Sequence, residues 1–334
     1  VRVVIAGASG FIGTYLVSHF VAEGATVETI GRGGADAVWG DTRAITRLLD
    51  GADLLINLAG KSVNCRYTAA NRSEIVRSRV ETTAELARAI TACATPPPLW
   101  VNSSTATIYR HAEDRPMTEA TGELGDGFSV SVARAWEAAL FAPDLPGTRR
   151  VALRMAIVLG DGSALAPLIR LAKFGLGGAQ LDGRWFSTAE SRAAGTFHAE
   201  GARNGAQKFS WIHIDDVVRI IHFIQQNASL EGPVNASAPG VTDNAGFMAR
   251  LRDVLGRPFG FAARRWMLEV GSIALGTETE LVLKSRWVVP AKLVDAGYVF
   301  EYPELSPALR NVIASRAASR AALRAALRAS SRGA

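Results

Sequence analysis

Seven residues near the start of the chain, Gly7-Ala8-Ser9-Gly10-Phe11-Ile12-Gly13, have the spacing that holds a phosphate without a charged side chain. Gly7 permits a tight turn, Gly10 lets the backbone approach a pyrophosphate, and Gly13 lets a helix pack closely on a strand. Ser9, Phe11 and Ile12 belong to the same turn, where a helix N-terminus offers unpaired N–H groups and partial positive charge. An apolar run, Val1 to Ala6, precedes the turn and a helical stretch, Phe11 to Glu23, follows it, the context in which such glycines bind a dinucleotide. A second strand, Thr26 to Ile30, ends in Gly31-Arg32. NAD-selective sites place a carboxylate there, whereas an arginine suits the 2′-phosphate of NADP. NADP is therefore expected over NAD, with a solvated arginine as the alternative.

Further positions line the same edge. Asp41, in Gly40-Asp41-Thr42, either accepts from the adenine amino group or caps a helix. Leu58-Ala59-Gly60 ends another strand, and its small residues let the chain pass beneath the adenosine ribose. Lys61 and Arg66 follow and either bind an anionic substrate or are solvated loop residues. His213 beside Asp215 and Asp216 has the look of a catalytic pair. Its other reading is a histidine that orients the chain where a strand returns to a helix, with one of the aspartates as the helix cap. No histidine, cysteine or carboxylate spacing points to a metal. Cys65 and Cys93 read as two structural thiols in a reducing cytoplasm.

The elements that must carry these residues alternate in the first half. Strands are expected at Ala37 to Trp39, Leu54 to Leu58, Trp100 to Ser103 and Arg150 to Leu159. Helices are expected at Ala69 to Cys93 and Val130 to Phe141, so the pattern is that of a parallel sheet wrapped by helices. Gly31 to Asp36 is too short for a crossover helix. Gly175 to Gln207 shows no periodic element and reads as a long surface excursion. The fold class expected is α/β, a Rossmann-type doubly wound parallel sheet with a smaller C-terminal α+β substrate lobe. Residues 1–160, with 209–230 returning, form the dinucleotide-binding domain. Residues 161–208 and 231–312 form the lobe, and 313–334 a basic Ala/Arg-rich tail.

Composition excludes some classes. The 334 residues are 48% hydrophobic and 20% charged, with no apolar run long enough to cross a bilayer. Because the first residues already read as a core strand, no signal peptide is expected. Of the formal charge of +6, all but one unit is matched by Arg316, Arg320, Arg324, Arg328 and Arg332 in the tail. Arg316 to Arg328 recur every fourth residue among alanines, which favours a helix with one charged stripe. The basicity thus belongs to the tail rather than to a nucleic-acid-binding face.

These motifs together resemble the extended short-chain dehydrogenase/reductase superfamily. The match includes the glycine turn, Gly40-Asp41, Asn57 to Gly60, Ser103-Ser104-Thr105-Ala106-Thr107-Ile108-Tyr109, Leu153-Arg154 and Trp211 to Asp216. Within it, the chain is most similar to an atypical epimerase-like group with a characteristic C-terminal domain, often labelled nucleoside-diphosphate-sugar epimerase. Gly175-Leu176-Gly177-Gly178, Ala135-Trp136-Glu137, Val289 to Leu293 and Ala296-Gly297-Tyr298 carry that likeness, which spans residues 1 to 312. The resemblance implies that Ser103 lies at the cofactor and that Thr105 is the hydroxyl residue beside the reacting oxygen. It also implies a tyrosine and a lysine at positions 129 and 133, where this chain has Ser129 and Ala133. The atypical group is similar in lacking that pair. Another acid must serve, and Tyr109 is one candidate, although packing beside the strand is its other role. The implied function is an NADP-binding epimerase-like oxidoreductase acting on a small polar substrate, a nucleotide sugar being one. The alternative is a non-catalytic NADPH-binding regulatory or interaction protein. The two long helices match the pair that many superfamily members use to form homodimers.

Overall fold

In-register pairing brings the ends of four strands level along one edge of a parallel sheet. The structure, a computed structural model, describes residues 1–162, 165–199 and 201–330, without the side chains of 203 and 322–330. The first half runs β1 (Arg2–Ala6), α1 (Phe11–Ala22), β2 (Thr26–Gly31), β3 (Ala37–Val38), α2 (Thr42–Leu49), β4 (Leu54–Asn57), α3 (Ala69–Thr91), β5 (Leu99–Thr105), α4 (Phe128–Phe141) and β6 (Arg149–Met155). With β10 (Gly232–Ala236), the strands form a seven-stranded sheet in the order β10-β6-β5-β4-β1-β2-β3. Ala6 pairs with Ile30 and with Asn57, and Asn57 pairs with Asn102. The residues that follow, Gly7, Gly31, Leu58 and Ser103, therefore emerge side by side at the carboxyl edge. Strand order reverses between β1 and β4, which is where open α/β sheets bind ligands.

Period-2 alternation builds a core on each face of the sheet. Val3 and Ile5 face α1, where Leu16 and Phe20 are buried against them. Val4 and Ala6 face the other way, onto Ile45 and Leu49 of α2 and Leu86 and Ile90 of α3. No helix joins β2 to β3, which only five residues separate. The expected strand from Arg150 to Leu159 is instead two. At Ala156 the backbone bonds change from Ala236 to Ser210, and β7 (Ile157–Leu159) leaves the main sheet to pair with β9 (Trp211–His213).

The C-terminal region carries less strand than an α+β lobe implies. It contains α5 (Leu165–Lys173), α6 (Ala189–Ala193), the two-residue β8 (Lys208–Phe209), α7 (Ile214–Gln226), β11 (Thr242–Asp243), α8 (Asn244–Val254), α9 (Arg265–Leu275), α10 (Glu280–Leu283), α11 (Ala291–Asp295) and α12 (Leu305–Ser330). Trp211, Phe247, Leu251, Leu305 and Leu309 share one core, so α12 starts as a packed helix before its arginine-rich end. Arg332 lies outside the described residues, as do the side chains of Arg324 and Arg328. The Gly175 to Gln207 excursion holds α6 and is stapled to the lobe. Leu181 N–H donates to Ala263 O at 2.8 Å, and Asp182 binds both His198 and Arg265. No helix among the described residues is long and apolar enough to cross a membrane.

Candidate cofactor and active site

The glycine turn has the geometry that its spacing requires. Gly7 has φ +80°, and a Cβ there would meet the backbone of Leu58 and Ala59 at 2.8 Å. A Cβ on Gly13 would fall 2.5 Å from Gly7 O, so helix and strand touch through that glycine. At Gly10, by contrast, the nearest atom to an added Cβ is 3.5 Å away. Gly10 is also the N-cap of α1 and supplies no side-chain cap, so the first-turn N–H groups lack internal acceptors. Ser9 and Gly10 are exposed. This open, uncapped helix end fits a dinucleotide pyrophosphate, which the turn from Gly7 to Gly13 would hold. The Phe11 ring turns away and packs under Gly160, where an added Cβ would meet it at 2.6 Å.

The other edge residues divide. Arg32 is exposed just past β2. Asp41 caps α2, its Oδ1 accepting from Ala44 N–H at 3.0 Å, and Gly40 N–H is held by Glu85 at 2.9 Å. Ala59 is buried and donates its N–H to Asn57 Oδ1 at 3.0 Å. Gly60 lies under Arg79, whose Cζ would be 2.9 Å from a Cβ, so a side chain of this protein already uses that space. Asn57 Nδ2 reaches Asn102 Oδ1 at 2.7 Å, a buried amide ladder that fixes the ends of β4 and β5.

Past β5, Thr105 is half-buried and its Oγ1 accepts from Thr107 N–H at 3.1 Å. Ser129, in the first turn of α4, donates to Glu280 Oε2 at 2.8 Å. The Tyr67 hydroxyl lies 3.5 Å from Ser129 Oγ, and burial pushes this phenol up to about 12 despite the pull of Ser129. Ala133 is fully buried beside Ala106 and Ala156. Tyr109 is only 2% exposed. Its hydroxyl donates to Asn235 at 2.9 Å and accepts from Arg154 at 2.8 Å, and burial raises its pKa. Arg154 also forks onto Glu137 at 2.8 and 2.7 Å. That geometry matches the packing role for Tyr109.

Segments from the C-terminal half pack against this edge. Arg66 is an exposed loop residue that also pairs with Glu278 at 3.0 Å, while Tyr67 N–H donates to the same carboxylate at 2.7 Å. Lys284 Nζ donates to Thr107 O at 2.9 Å, and Arg286 Nε donates to Thr107 Oγ1 at 3.1 Å. Gly195 O accepts from Phe128 N–H at 2.8 Å, which ties the excursion to the start of α4.

The family description "NAD dependent epimerase/dehydratase family" matches residues 3–236. The chain belongs to that family. A domain of unknown function, DUF1731, matches residues 265–312, so the segment holding Glu280, Lys284 and Arg286 is itself a family feature. Epimerase family protein SDR39U1 of Bos taurus is 32% identical over 323 residues, 94% of this chain and all of that one. The crystal structure of human SDR39U1 with NADPH superposes with TM-score 0.79 at 28% identity, covering 93% of this chain and 99% of that one. A nucleoside-diphosphate sugar epimerase from Corynebacterium glutamicum has TM-score 0.66 at 26% identity, covering 93% of this chain and 57% of that one.

Two further expectations change. His213 Nδ1 accepts from Asp215 N–H at 3.2 Å, so the histidine caps α7 and neither aspartate does. Asp215 instead takes the Tyr15 hydroxyl, and Asp216 takes the N–H groups of Glu301 and Tyr302 at 2.9 and 3.0 Å. Burial lowers the pKa of His213. The fold also gathers His19, Glu23 and His222, whose ligand atoms lie within 4.8 Å of one another. Glu23 bridges the two rings at 3.2 and 3.0 Å; His19 and Glu23 are four residues apart in the sequence, and the fold adds His222 from α7.

Proposed function

We propose that the protein is an NADP-dependent oxidoreductase or epimerase acting on a small polar substrate of the nucleotide-sugar class. The observation that carries this reading is the open, uncapped helix end after Gly10, with Arg32 exposed at the same edge. The NADPH in the human relative and the nucleotide-sugar assignment of the Corynebacterium glutamicum relative support it. Gly7 to Gly13 hold the pyrophosphate, Arg32 the 2′-phosphate, and Leu58, Ala59 and Ser103 the flank of the cofactor. Asp41, already capping α2, keeps one carboxylate oxygen for adenine.

The bound nicotinamide supplies a hydride acceptor or donor at carbon. Thr105 holds the reacting oxygen. Ser129 takes the substrate proton as its own passes to Glu280, along the 2.8 Å bond between them. Tyr67 stays protonated at neutral pH and steadies Ser129 from the other side. Tyr109, engaged by Arg154 and Asn235, serves as packing.

The test is label transfer. The protein is loaded with NADPH deuterated at the nicotinamide C4 and given keto and hydroxyl forms of uridine-diphosphate sugars. Deuterium appearing in a sugar supports the reading. Label that never leaves the cofactor across the panel sinks it and favours the non-catalytic NADPH-binding alternative. Self-association through α3 and α4 is proposed as well. A groove of about 590 Å³ runs there between Arg72, Val76, Val80 and Phe128, and sedimentation of the full chain reads the outcome.

A further inference from the structure

Lys284 and Arg286 are each 7% exposed, yet among the described residues neither forms an ion pair with a carboxylate. Their partners are neutral. Lys284 donates to Thr107 O, and Arg286 donates to Thr107 Oγ1, Leu281 O and Lys284 O. Other buried arginines are treated differently, since Arg154 has Glu137 and Arg265 has Asp182, each at 2.7 Å. A buried cation without a counter-charge is costly, and a bound anion would offset that cost. The nearby carboxylate, Glu280, is taken by Ser129.

Place identifies the ligand. Thr107 follows β5 by two residues, and Thr105 ends that strand at the cofactor edge. Two cations bound to Thr107 therefore lie at the reacting end of the edge, far along the sheet from Arg32, which follows β2. We propose that Lys284 and Arg286 form a subsite for an anionic group of the substrate, a carboxylate or phosphate carried next to the reacting carbon. The inference rests on the oxidoreductase reading of the Thr105–Ser129 cleft. With Nε and Nη1 of Arg286 donating to Thr107, Leu281 and Lys284, its Nη2 is what the planar guanidinium would offer the anion, and Lys284 adds a point charge.

Burial, with Arg286 beside it, pushes Lys284 down to about 8, while Glu280 and Asp126 pull the other way. Arg286 is faced by Glu280 and Tyr67. An anion arriving at the pair favours the charged amine, so binding takes up a proton wherever Lys284 is partly neutral.

The experiment titrates the NADPH-loaded full chain with inorganic phosphate and with acetate. Calorimetry at about pH 8.5, in two buffers of different ionisation heat, reads the proton. Expected are binding with net proton uptake, and a loss of about tenfold or more in affinity in the Lys284→Met, Arg286→Met double variant. NADPH affinity is expected to stay unchanged. Stronger phosphate binding assigns a phosphorylated group, and stronger acetate binding a carboxylate. Arg286→Lys keeps the charge and loses the Nη2 donor, so it serves if the double variant does not fold, with weaker binding and the proton uptake retained. No binding of either anion to the wild type, or equal binding by the double variant, overturns the subsite and leaves the cofactor reading standing. Intact anion binding without label transfer to any sugar overturns the oxidoreductase reading instead.

Discussion

Ser129 Oγ donates to Glu280 Oε2 at 2.8 Å across 151 residues of chain. The bond joins the first turn of α4, where the superfamily keeps its tyrosine, to the DUF1731 segment. A serine alone is a poor acid near neutral pH, but a serine hydrogen-bonded to a carboxylate can pass a proton on.

Ser129→Ala and Glu280→Gln should each lower turnover by about a hundredfold or more, the usual scale of general acid–base catalysis. Circular dichroism and NADPH titration should show folded, cofactor-competent protein in both. Wild-type turnover in either variant would remove that residue from the relay.

Tyr109→Phe separates packing from catalysis. The change leaves Arg154 and Asn235 short of a buried partner, at a cost of about 1–3 kcal/mol. Denaturant unfolding should show that loss, and the folded variant should retain turnover. A stable but inactive variant would restore Tyr109 as the acid.

Gly13→Ala places a methyl carbon 2.5 Å from Gly7 O and 2.7 Å from Ala8 Cα, both backbone atoms that cannot rotate away. The variant should fold poorly or lose NADPH binding, whereas Gly10→Ala, with 3.5 Å of room, should fold and bind NADPH more weakly. Thermal unfolding with and without NADPH distinguishes the two. Equal behaviour would mean that the turn relaxes freely.

Lys284 predicts a pH dependence of stability. Burial sets it at about 8 in the fold, against 10.5 as the ordinary lysine value. Between those values the unfolded chain binds more protons, so this group's contribution to stability rises with pH across the window and levels off below it. Lys284→Met lacks the effect. Its stability advantage over the wild type should be largest near neutral pH and shrink as pH approaches the upper end, in urea unfolding at several pH values. A constant difference would show that Lys284 titrates normally.

Local signals were legible in the sequence and long-range ones were not. The turn from Gly7 to Gly13 and the position of Arg32 depend on neighbours a few residues apart, and in-register strands carry them to one edge. The missed helix α2 did leave a signal, because Asp41 was already a candidate cap ahead of an amphipathic stretch. The pairing of Arg66 could not be read, since its partner Glu278 lies far away in the chain. The same holds for Lys284 and Arg286, isolated cations until the fold sets both against Thr107. The break at Ala156 depends on Ser210, a backbone partner that no apolar pattern reports.

The most direct measurement of the central claim is parallel titration of the wild-type chain with NADPH and NADH at fixed salt. If Arg32 holds the 2′-phosphate as proposed, its charge-assisted hydrogen bonds would be worth about 1.5–3 kcal/mol, so NADPH should bind at least about tenfold more tightly. Arg32→Ala should bring the two affinities together. Equal affinities in the wild type would contradict the account of the cofactor edge.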